Sequence, residues 1–149
     1  DIEDDGTGMY EDMAAHATDP FVTTRTTRKV GLGLSLLRQI AEMTGGGLQI
    51  RSKAGKGTQV YASFRHSHID RPPLGDMGSV LSLFLYTNPQ LHLIYKHIVG
   101  DKSFYFDSKQ VAEAMGGCSF EEPGVRSLIT EFINNNINEL HIQTKSENI

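Results

Sequence analysis

The sequence has few cysteines and no long apolar run, and each shortage excludes a class of protein. Its single cysteine, Cys118, cannot build a disulfide framework or a cysteine-based zinc site. The longest apolar run, Val80 to Tyr86, is interrupted by Ser82 and is too short to span a membrane. The chain opens on acidic residues rather than on a signal peptide. We therefore expect a cytoplasmic protein with no membrane partner.

The chain also lacks an excess of basic residues. It carries 14 lysines and arginines against 18 acids, whereas a dedicated nucleic-acid-binding protein is normally basic. We therefore expect no nucleic-acid partner. The charge is uneven, because residues 1–13 hold six acids and no base, while residues 25–38 hold bases and no acid. A local basic segment in an acidic chain favours a small anionic ligand.

What is present indicates a folded chain of mixed secondary structure. The 149 residues are 38% apolar, which excludes a disordered tail. Residues 10–17 are typical of a short helix, and residues 48–52 and 59–65 alternate as a β-hairpin. A second helix begins near Leu32 to Leu34 and stops at Gly45-Gly46-Gly47. The fold class is therefore α/β.

The second half of the chain is predicted to be a separate piece. Residues 1–65 form the first piece, residues 66–75 a linker, and residues 76–149 a small α+β extension. The elements of the extension are, in order, a helix capped by Asp76, strands at 91–99 and 102–106, a short helix capped by Ser108, and a last helix with Pro123 in its first turn. No motif in the extension indicates its role.

The first candidate site residues form the pattern Asp4-x-Gly6-x-Gly8. A carboxylate here can accept a hydrogen bond from an exocyclic amine such as that of adenine. The two glycines leave room for a flat ring against the backbone. Alone, the pattern is more typical of an ordinary turn.

A second pattern, Gly31-Leu32-Gly33-Leu34, opens a helix. Glycines at a helix N-terminus let backbone N–H groups approach a phosphate, and the helix dipole favours the anion. Arg25, Arg28 and Lys29 could add charge-assisted contacts. The alternative is a plain junction between a loop and a helix, with a solvated basic face.

Two further patterns complete the set. Gly55-x-Gly57-Thr58 joins the two strands, and the Thr58 hydroxyl could reach a base or a bound water. A simple glycine hairpin turn is its alternative interpretation. The segment Asp19-Pro20-Phe21-Val22-Thr23-Thr24-Arg25 could by itself be a loop anchored by a buried Phe21.

In this order and spacing, the patterns resemble the histidine-kinase-like ATPase superfamily, which includes sensor kinases, anti-sigma-factor kinases, DNA gyrase B and MutL. Asp4 to Met9 is similar to the first glycine box, Asp19 to Arg25 to the kinase lid box, and Gly31 to Ser35 to the second glycine box. Residues 46–58 resemble the closing hairpin. The likeness covers residues 1 to about 65, is closest to the sensor-kinase branch, and implies part of a Bergerat-fold α/β sandwich.

The resemblance implies that the chain binds ATP or ADP. Asp4 would bind the adenine amino group, and Gly6, Gly8 and Thr58 would complete the adenine pocket. Residues 21–30 would cover the nucleotide, and the glycines at the helix start would approach the phosphates, which one or more of the neighbouring bases would neutralise. The implied nucleotide-binding residues are Asp4, Gly6, Gly8, Phe21, Thr24, Arg25, Arg28, Lys29, Gly31, Leu32, Gly33, Leu34 and Thr58.

Departures from the family pattern limit these expectations. Residues 1–6 have the character of a strand end, and nothing before Asp1 supplies the family's asparagine-bearing helix, so we expect Mg²⁺ only together with that helix. The asparagines at 134–138 lie at the wrong end of the chain to replace it. Lys29-Val30 stands where kinases usually have Gly-Thr or Gly-Ser, and none of the six histidines fits a phosphoacceptor helix. The fragment by itself is expected to bind ADP weakly and to be inactive.

These features predict the ATP-binding module of a histidine-kinase-like ATPase. In the full-length protein, a protein kinase or ATPase, we expect phosphotransfer to an unknown protein partner or phosphoacceptor in trans. The alternative is a nucleotide-responsive regulatory module without kinase activity. A homodimer stays open, because a missing N-terminal layer would leave apolar sheet surface exposed.

Overall fold

The structure is a computed structural model that describes residues 1–22 and 31–146, with side chains described as far as residue 144. The chain divides into two compact units, Asp1–Pro73 and Leu74–Ile149. Residues 23–30, which hold most of the predicted loop between the first two helices, lie outside the described residues.

The first unit is a three-stranded antiparallel sheet with two helices, as the α/β prediction required. Its elements are β1 (Ile2–Asp4), α1 (Glu11–His16), α2 (Gly33–Met43), β2 (Gly47–Lys53) and β3 (Gly57–Ser63). The strand order is β1-β3-β2, so the last strand in sequence is the central one. The predicted strand end, short helix, second helix and hairpin are all confirmed.

The three adjacent glycines hold the end of α2 against the hairpin. Thr44 caps the helix through its hydroxyl, which donates to the Ile40 carbonyl over 2.8 Å. Gly45 follows in the left-handed region at φ 74°, and the Gly46 amide then donates back to Ala41. A Cβ atom on Gly46 would lie 1.9 Å from the Ser63 carbonyl oxygen, so only glycine allows this approach.

The second unit is an α+β structure with its own hydrophobic core. Its elements are α3 (Met77–Thr87), β4 (Ile94–Val99), β5 (Lys102–Asp107), α4 (Ser108–Ala114) and α5 (Val125–Ser146). The two strands pair antiparallel, and α5 packs against both of them and against α3. The buried core residues are Leu85, Phe104, Phe106, Phe120, Val125, Ile129, Ile133, Ile137 and Leu140.

Asn134 joins the start of α3 to the middle of α5. Its carbonyl oxygen accepts from the Gly78 amide over 2.9 Å, and its amide nitrogen donates to Asp76 Oδ1 over 2.8 Å. Asp76 also accepts from the Ser79 amide, which makes it the N-cap that the sequence predicts. A Cβ atom on Gly78 would lie 2.4 Å from the Thr130 carbonyl oxygen, so the two helices cross at backbone contact. The asparagine therefore serves helix packing.

Two predicted helix starts in this unit are wrong. Asp107, not Ser108, caps α4, because its Oδ1 accepts from the Lys109 amide over 2.9 Å. β5 runs directly into α4, so the last strand residue occupies the cap position and the Ser108 hydroxyl instead accepts from the Leu93 amide. Pro123 lies in the turn before α5, which begins at Val125 after a left-handed Gly124.

The faces and ends of the other elements also differ in part from expectation. β4 begins at Ile94 rather than at residue 91. On α5, Leu128 is 60% exposed and Phe132 is 45% exposed, although both share the apolar pattern of the buried residues. Across the described residues, no helix combines the length and the apolar character needed to cross a membrane.

His97 on β4 is a histidine whose surroundings favour the neutral ring. Its Nδ1 lies 2.9 Å from the Tyr95 hydroxyl, and no described residue offers a hydrogen-bond partner to its buried Nε2. The ring of His141 on α5 lies 5.4 Å away, centroid to centroid. Burial, and secondarily the charge that His141 can carry, hold the pKa of His97 below its ordinary value of 6.5.

This environment predicts that the second unit loses stability in mild acid. A pKa that folding lowers contributes stability above the unfolded value, and that stability is lost as the pH falls through the folded value. We expect the free energy of unfolding of the second unit to decrease from about pH 7.5 to about pH 5.5. Urea titrations followed by NMR signals of β4 and α5 would measure it.

His97→Gln should flatten this pH dependence, because glutamine does not titrate. His66→Gln, at an exposed position of the first unit, is the control and should leave the dependence in place. A pH dependence that survives in His97→Gln would contradict the assignment.

Candidate functional site

The site begins where β1 ends, at the carboxylate of Asp4. The Gly6 amide donates to Asp4 Oδ1 over 2.9 Å, which closes a tight turn and fixes the side chain. Among the described residues, no partner is assigned to Oδ2. The carboxylate is therefore positioned by one oxygen and can accept a ligand hydrogen bond with the other.

The loop that follows lies directly on the end of the hairpin between β2 and β3. A Cβ atom on Gly8 (φ 63°) would lie 2.1 Å from the Lys53 carbonyl oxygen, and one on Gly57 (φ 93°) would lie 1.8 Å from the Asp4 carbonyl oxygen. The Gly55 amide donates to the Thr7 carbonyl over 2.7 Å. These positions require glycine both for conformation and for space, so the predicted glycines serve a close backbone approach.

Thr58 is brought next to Asp4 by strand register. Asp4 on β1 pairs with Thr58 on β3, and Thr58 pairs with Ser52 on β2. Directly paired residues in antiparallel strands present their side chains on the same face of the sheet. The predicted neighbourhood of Asp4, Gly8 and Thr58 is therefore present in the first unit.

Ser52 is a member of this group that the sequence motifs do not identify. Its hydroxyl accepts from the Met9 amide over 2.8 Å and lies 2.9 Å from the Thr58 hydroxyl and 3.1 Å from the Gly57 carbonyl oxygen. The signal that could have found it is the hairpin register, since a turn at residues 54–56 places Ser52 opposite Thr58.

A cavity of about 230 Å³ opens at this end of the sheet. It is lined by Glu3, Asp4, Arg51, Ser52, Lys53, Lys56, Gly57, Thr58 and Gln59. A second cavity of about the same volume is lined by alternate strand residues, Gln49, Arg51, Gln59 and Tyr61, and contains no predicted site residue. We assign the site to the cavity that contains Asp4 and Thr58.

The second predicted cluster lies at the start of α2. The helix begins at Gly33 after Leu32, which offers no side-chain cap, and its first turn holds no acid. Outside its own helix and its chain neighbours, no atom of the described residues would lie within 4 Å of a Cβ atom on Gly33. The free N–H groups of such a turn can bind an anion. Within the described residues, no hydrogen bond connects Gly31, Leu32, Gly33 or Leu34 to the Asp4 loop.

Phe21, the first residue of the predicted lid (residues 21–30), contacts Gly31, the residue that directly follows the lid. The Phe21 amide donates to the Gly31 carbonyl over 3.1 Å. Phe21 has a φ of 71°, a conformation that costs a bulky residue energy, and is 70% exposed. The alternative of a loop anchored by a buried Phe21 is therefore wrong. The remaining predicted lid residues lie outside the described residues: Thr24, Arg25, Arg28 and Lys29.

Acidic and histidine side chains do not gather into a metal centre in the described part of the chain. There, no group of three or more histidine, cysteine, aspartate or glutamate residues is close enough to hold a metal ion.

Charged side chains of both signs line the cavity, since Asp4 and Glu3 lie beside Lys53 and Lys56. Acceptors and cations are therefore both available at its rim.

Comparison with known proteins finds a family that matches most of the first unit. Residues 1–68 match the family described as histidine kinase-, DNA gyrase B-, and HSP90-like ATPase. No solved structure matches the chain significantly.

The curated relatives match over this same part of the chain. Sensor kinase CckA of Brucella abortus is 42% identical over 59 residues, which are 39% of this chain and 6% of the relative. C4-dicarboxylate transport sensor protein DctB of Pseudomonas aeruginosa is 40% identical over 40% of this chain and 10% of its own length. Sensor histidine kinase YclK of Bacillus subtilis is 37% identical over 40% of this chain and 14% of its own. The matched part is thus a small share of each relative.

The close approach at Gly57 predicts a large loss of stability on substitution. Gly57→Ala must strain φ and also displace the Asp4 carbonyl, so we expect it to destabilise the first unit by ~3 kcal/mol or more. Gly55→Ala is the matched control, because Gly55 shares a positive φ of 76° but no atom of the described residues outside its chain neighbours lies within 4 Å of its Cβ position. It should cost about 1 kcal/mol. Urea denaturation would measure both, and equal losses would contradict the steric role.

Proposed function

We propose that residues 1–68, which belong to the histidine-kinase-like ATPase family, bind the base of ATP or ADP in the cavity at the end of β1. The observation that carries the proposal is the Asp4 carboxylate, held by one oxygen and opposite Thr58 in the sheet. Such a carboxylate can accept a hydrogen bond from an exocyclic amine.

The glycines support the fit of a flat base. Side chains at Gly8 and Gly57 would collide with backbone atoms, so the loop and the hairpin end meet through backbone alone. Gly6 keeps the Asp4 turn tight, because a Cβ atom there would lie 2.8 Å from Asp4 Oδ1. The backbones on either side of Asp4 and Gly57, both of which line the cavity, are therefore in direct contact, and we propose that the base packs against this backbone surface.

The phosphates are assigned to the start of α2. The turn that includes Leu32, Gly33 and Leu34, which no described side chain caps, supplies backbone N–H groups and the positive end of the helix dipole. The Gly31 carbonyl accepts a hydrogen bond from the Phe21 amide, which brings the first residue of the lid next to the residue that follows it. We assign neutralisation of the phosphates to one or more of the basic lid residues Arg25, Arg28 and Lys29, and we propose that the Thr24 hydroxyl binds the nucleotide beside them.

We further propose a kinase-type activity in the protein that carries this module. Bound ATP supplies a transferable γ-phosphoryl group, and the chain's contribution is to position it and to neutralise its charge. Two of the relatives are named as a sensor kinase and a sensor histidine kinase, which supports a kinase-type activity. We propose that the phosphoryl group is transferred to a protein in trans. The proposed setting is the cytoplasm, and Mg²⁺ is proposed as the ion that accompanies ATP.

A nucleotide-responsive binding module is the second candidate function. The observation that favours it is the second unit, which lies beyond the family match and has a separate core. In this case nucleotide binding changes the lid and the second unit carries the contact with a protein partner.

Asp4→Asn is predicted to abolish adenine recognition. The asparagine oxygen can still accept from the Gly6 amide, but its NH₂ group replaces the free carboxylate oxygen and meets the adenine amine as donor against donor. We expect the Kd for ADP to rise by about tenfold or more. NMR titration with ADP into the millimolar range would measure it. Asp5→Asn changes the neighbouring charge without touching this contact, and an unaltered ADP affinity in Asp4→Asn would refute the adenine role.

The two candidate functions predict different outcomes with γ-labelled ATP. The protein is incubated with the labelled nucleotide, Mg²⁺ and candidate partner proteins. Transfer of label to a partner supports the kinase. Nucleotide-dependent binding of a partner without label supports the regulatory module. If partners bind the protein but are not labelled, and their binding does not depend on nucleotide, both candidate functions are contradicted.

A further inference from the structure

We propose that Ser52 determines the base specificity of the site by fixing the direction of the Thr58 hydroxyl. The inference rests on the proposed function, since it concerns the same base pocket. Ser52 is a positioning residue, because it acts on the ligand through Thr58.

Three contacts converge on the Ser52 hydroxyl. The Met9 amide donates to it over 2.8 Å, the Gly57 carbonyl oxygen lies 3.1 Å away, and the Thr58 hydroxyl lies 2.9 Å away. Ser52 and Thr58 are both half-buried. The group thus connects the loop after Asp4 with both strands of the hairpin.

Counting protons sets the direction of each bond. A hydroxyl has one proton to donate and two lone pairs that accept. The Met9 amide occupies one lone pair, and the Gly57 carbonyl, which has no proton, can only accept. If Ser52 donated its proton to Thr58, the Ser52 oxygen and the Gly57 carbonyl oxygen would lie 3.1 Å apart as two acceptors with no proton between them. Ser52 therefore donates to Gly57 and accepts from Thr58, which uses every capacity of its hydroxyl.

The Thr58 oxygen is then left as an acceptor only. Its proton points to Ser52, so its lone pairs are what it can offer to the pocket. Asp4, its partner across the strands, also offers only acceptors. A base edge with an amine, which has two protons, satisfies this pair, whereas a base edge with a carbonyl meets acceptor against acceptor. The ligand class selected is a 6-aminopurine nucleotide over a 6-oxopurine nucleotide.

The experiment compares ADP with inosine diphosphate, which carries a carbonyl in place of the amine. NMR titration of the full chain gives the ratio of the two Kd values. Ser52→Ala frees the Thr58 proton to turn toward a carbonyl, so the preference for ADP should fall about tenfold. Ser52→Thr keeps a hydroxyl at this position and should therefore retain the preference for ADP over inosine diphosphate.

Two further variants separate specificity from folding. Ser63→Ala removes a hydroxyl that contacts Gly47 at the other end of the same hairpin, and it should leave the Kd ratio unchanged. Thr58→Val removes the reporting hydroxyl and should lower the ratio as Ser52→Ala does, with no further loss in the double variant. Hydrogen exchange of the Met9 amide should quicken in Ser52→Ala and not in Ser63→Ala.

The outcomes are distinct. A chain that prefers ADP and keeps that preference in Ser52→Ala overturns the role of Ser52 and leaves the proposed function intact. Unchanged protection of the Met9 amide in Ser52→Ala also overturns it. A chain that binds neither nucleotide overturns the proposed function, and the specificity role with it.

Discussion

The first unit depends on a backbone contact, the approach of the loop after β1 to the end of the β2–β3 hairpin. Neither Gly8 nor Gly57 has room for even a methyl group, because each faces a carbonyl oxygen of the other segment. This approach lets one turn hold the Asp4 carboxylate while the neighbouring strand presents Thr58. It also accounts for the glycine spacing, since positive φ and close contact are needed at the same points. Site geometry and local stability thus have the same physical origin.

Hydrogen bonds from a side chain then connect the loop after β1 to the β2–β3 hairpin. Ser52 satisfies an amide from the loop and a carbonyl and a hydroxyl from the hairpin. In the second unit, Asn134 has a comparable place, since it satisfies the Gly78 amide and the Asp76 carboxylate where two helices cross at backbone distance. The Ser79 and Asn134 hydrogen bonds hold the pKa of Asp76 down to about 2. In both units, glycine allows two backbone segments to lie in contact, and a short polar side chain forms hydrogen bonds with the polar groups at that contact.

Much of the fold could be predicted because its signals are local. The hairpin follows from alternation and glycine turns, α2 from its periodicity and the glycines that end it, and α3 from the Asp76 cap. The errors arise where one element runs into another. Asp107 rather than Ser108 caps α4 because β5 and α4 are continuous, and the pattern of α5 does not show that Leu128 and Phe132 stay exposed. Local propensity cannot report which side of a helix its neighbours cover.

The sequence by itself determined the α/β class of the first unit, its resemblance to the histidine-kinase-like ATPases and the candidate site residues Asp4 and Thr58, because motif order and glycine spacing are properties of the chain. Only the tertiary structure decided that Asp4 stands beside Thr58 and Ser52, since this depends on how β1 pairs with a hairpin that is distant from it in sequence. It also decided that Phe21 is exposed and that Asn134 joins two helices. Periodicity shows which residues share a face, and packing decides what that face meets.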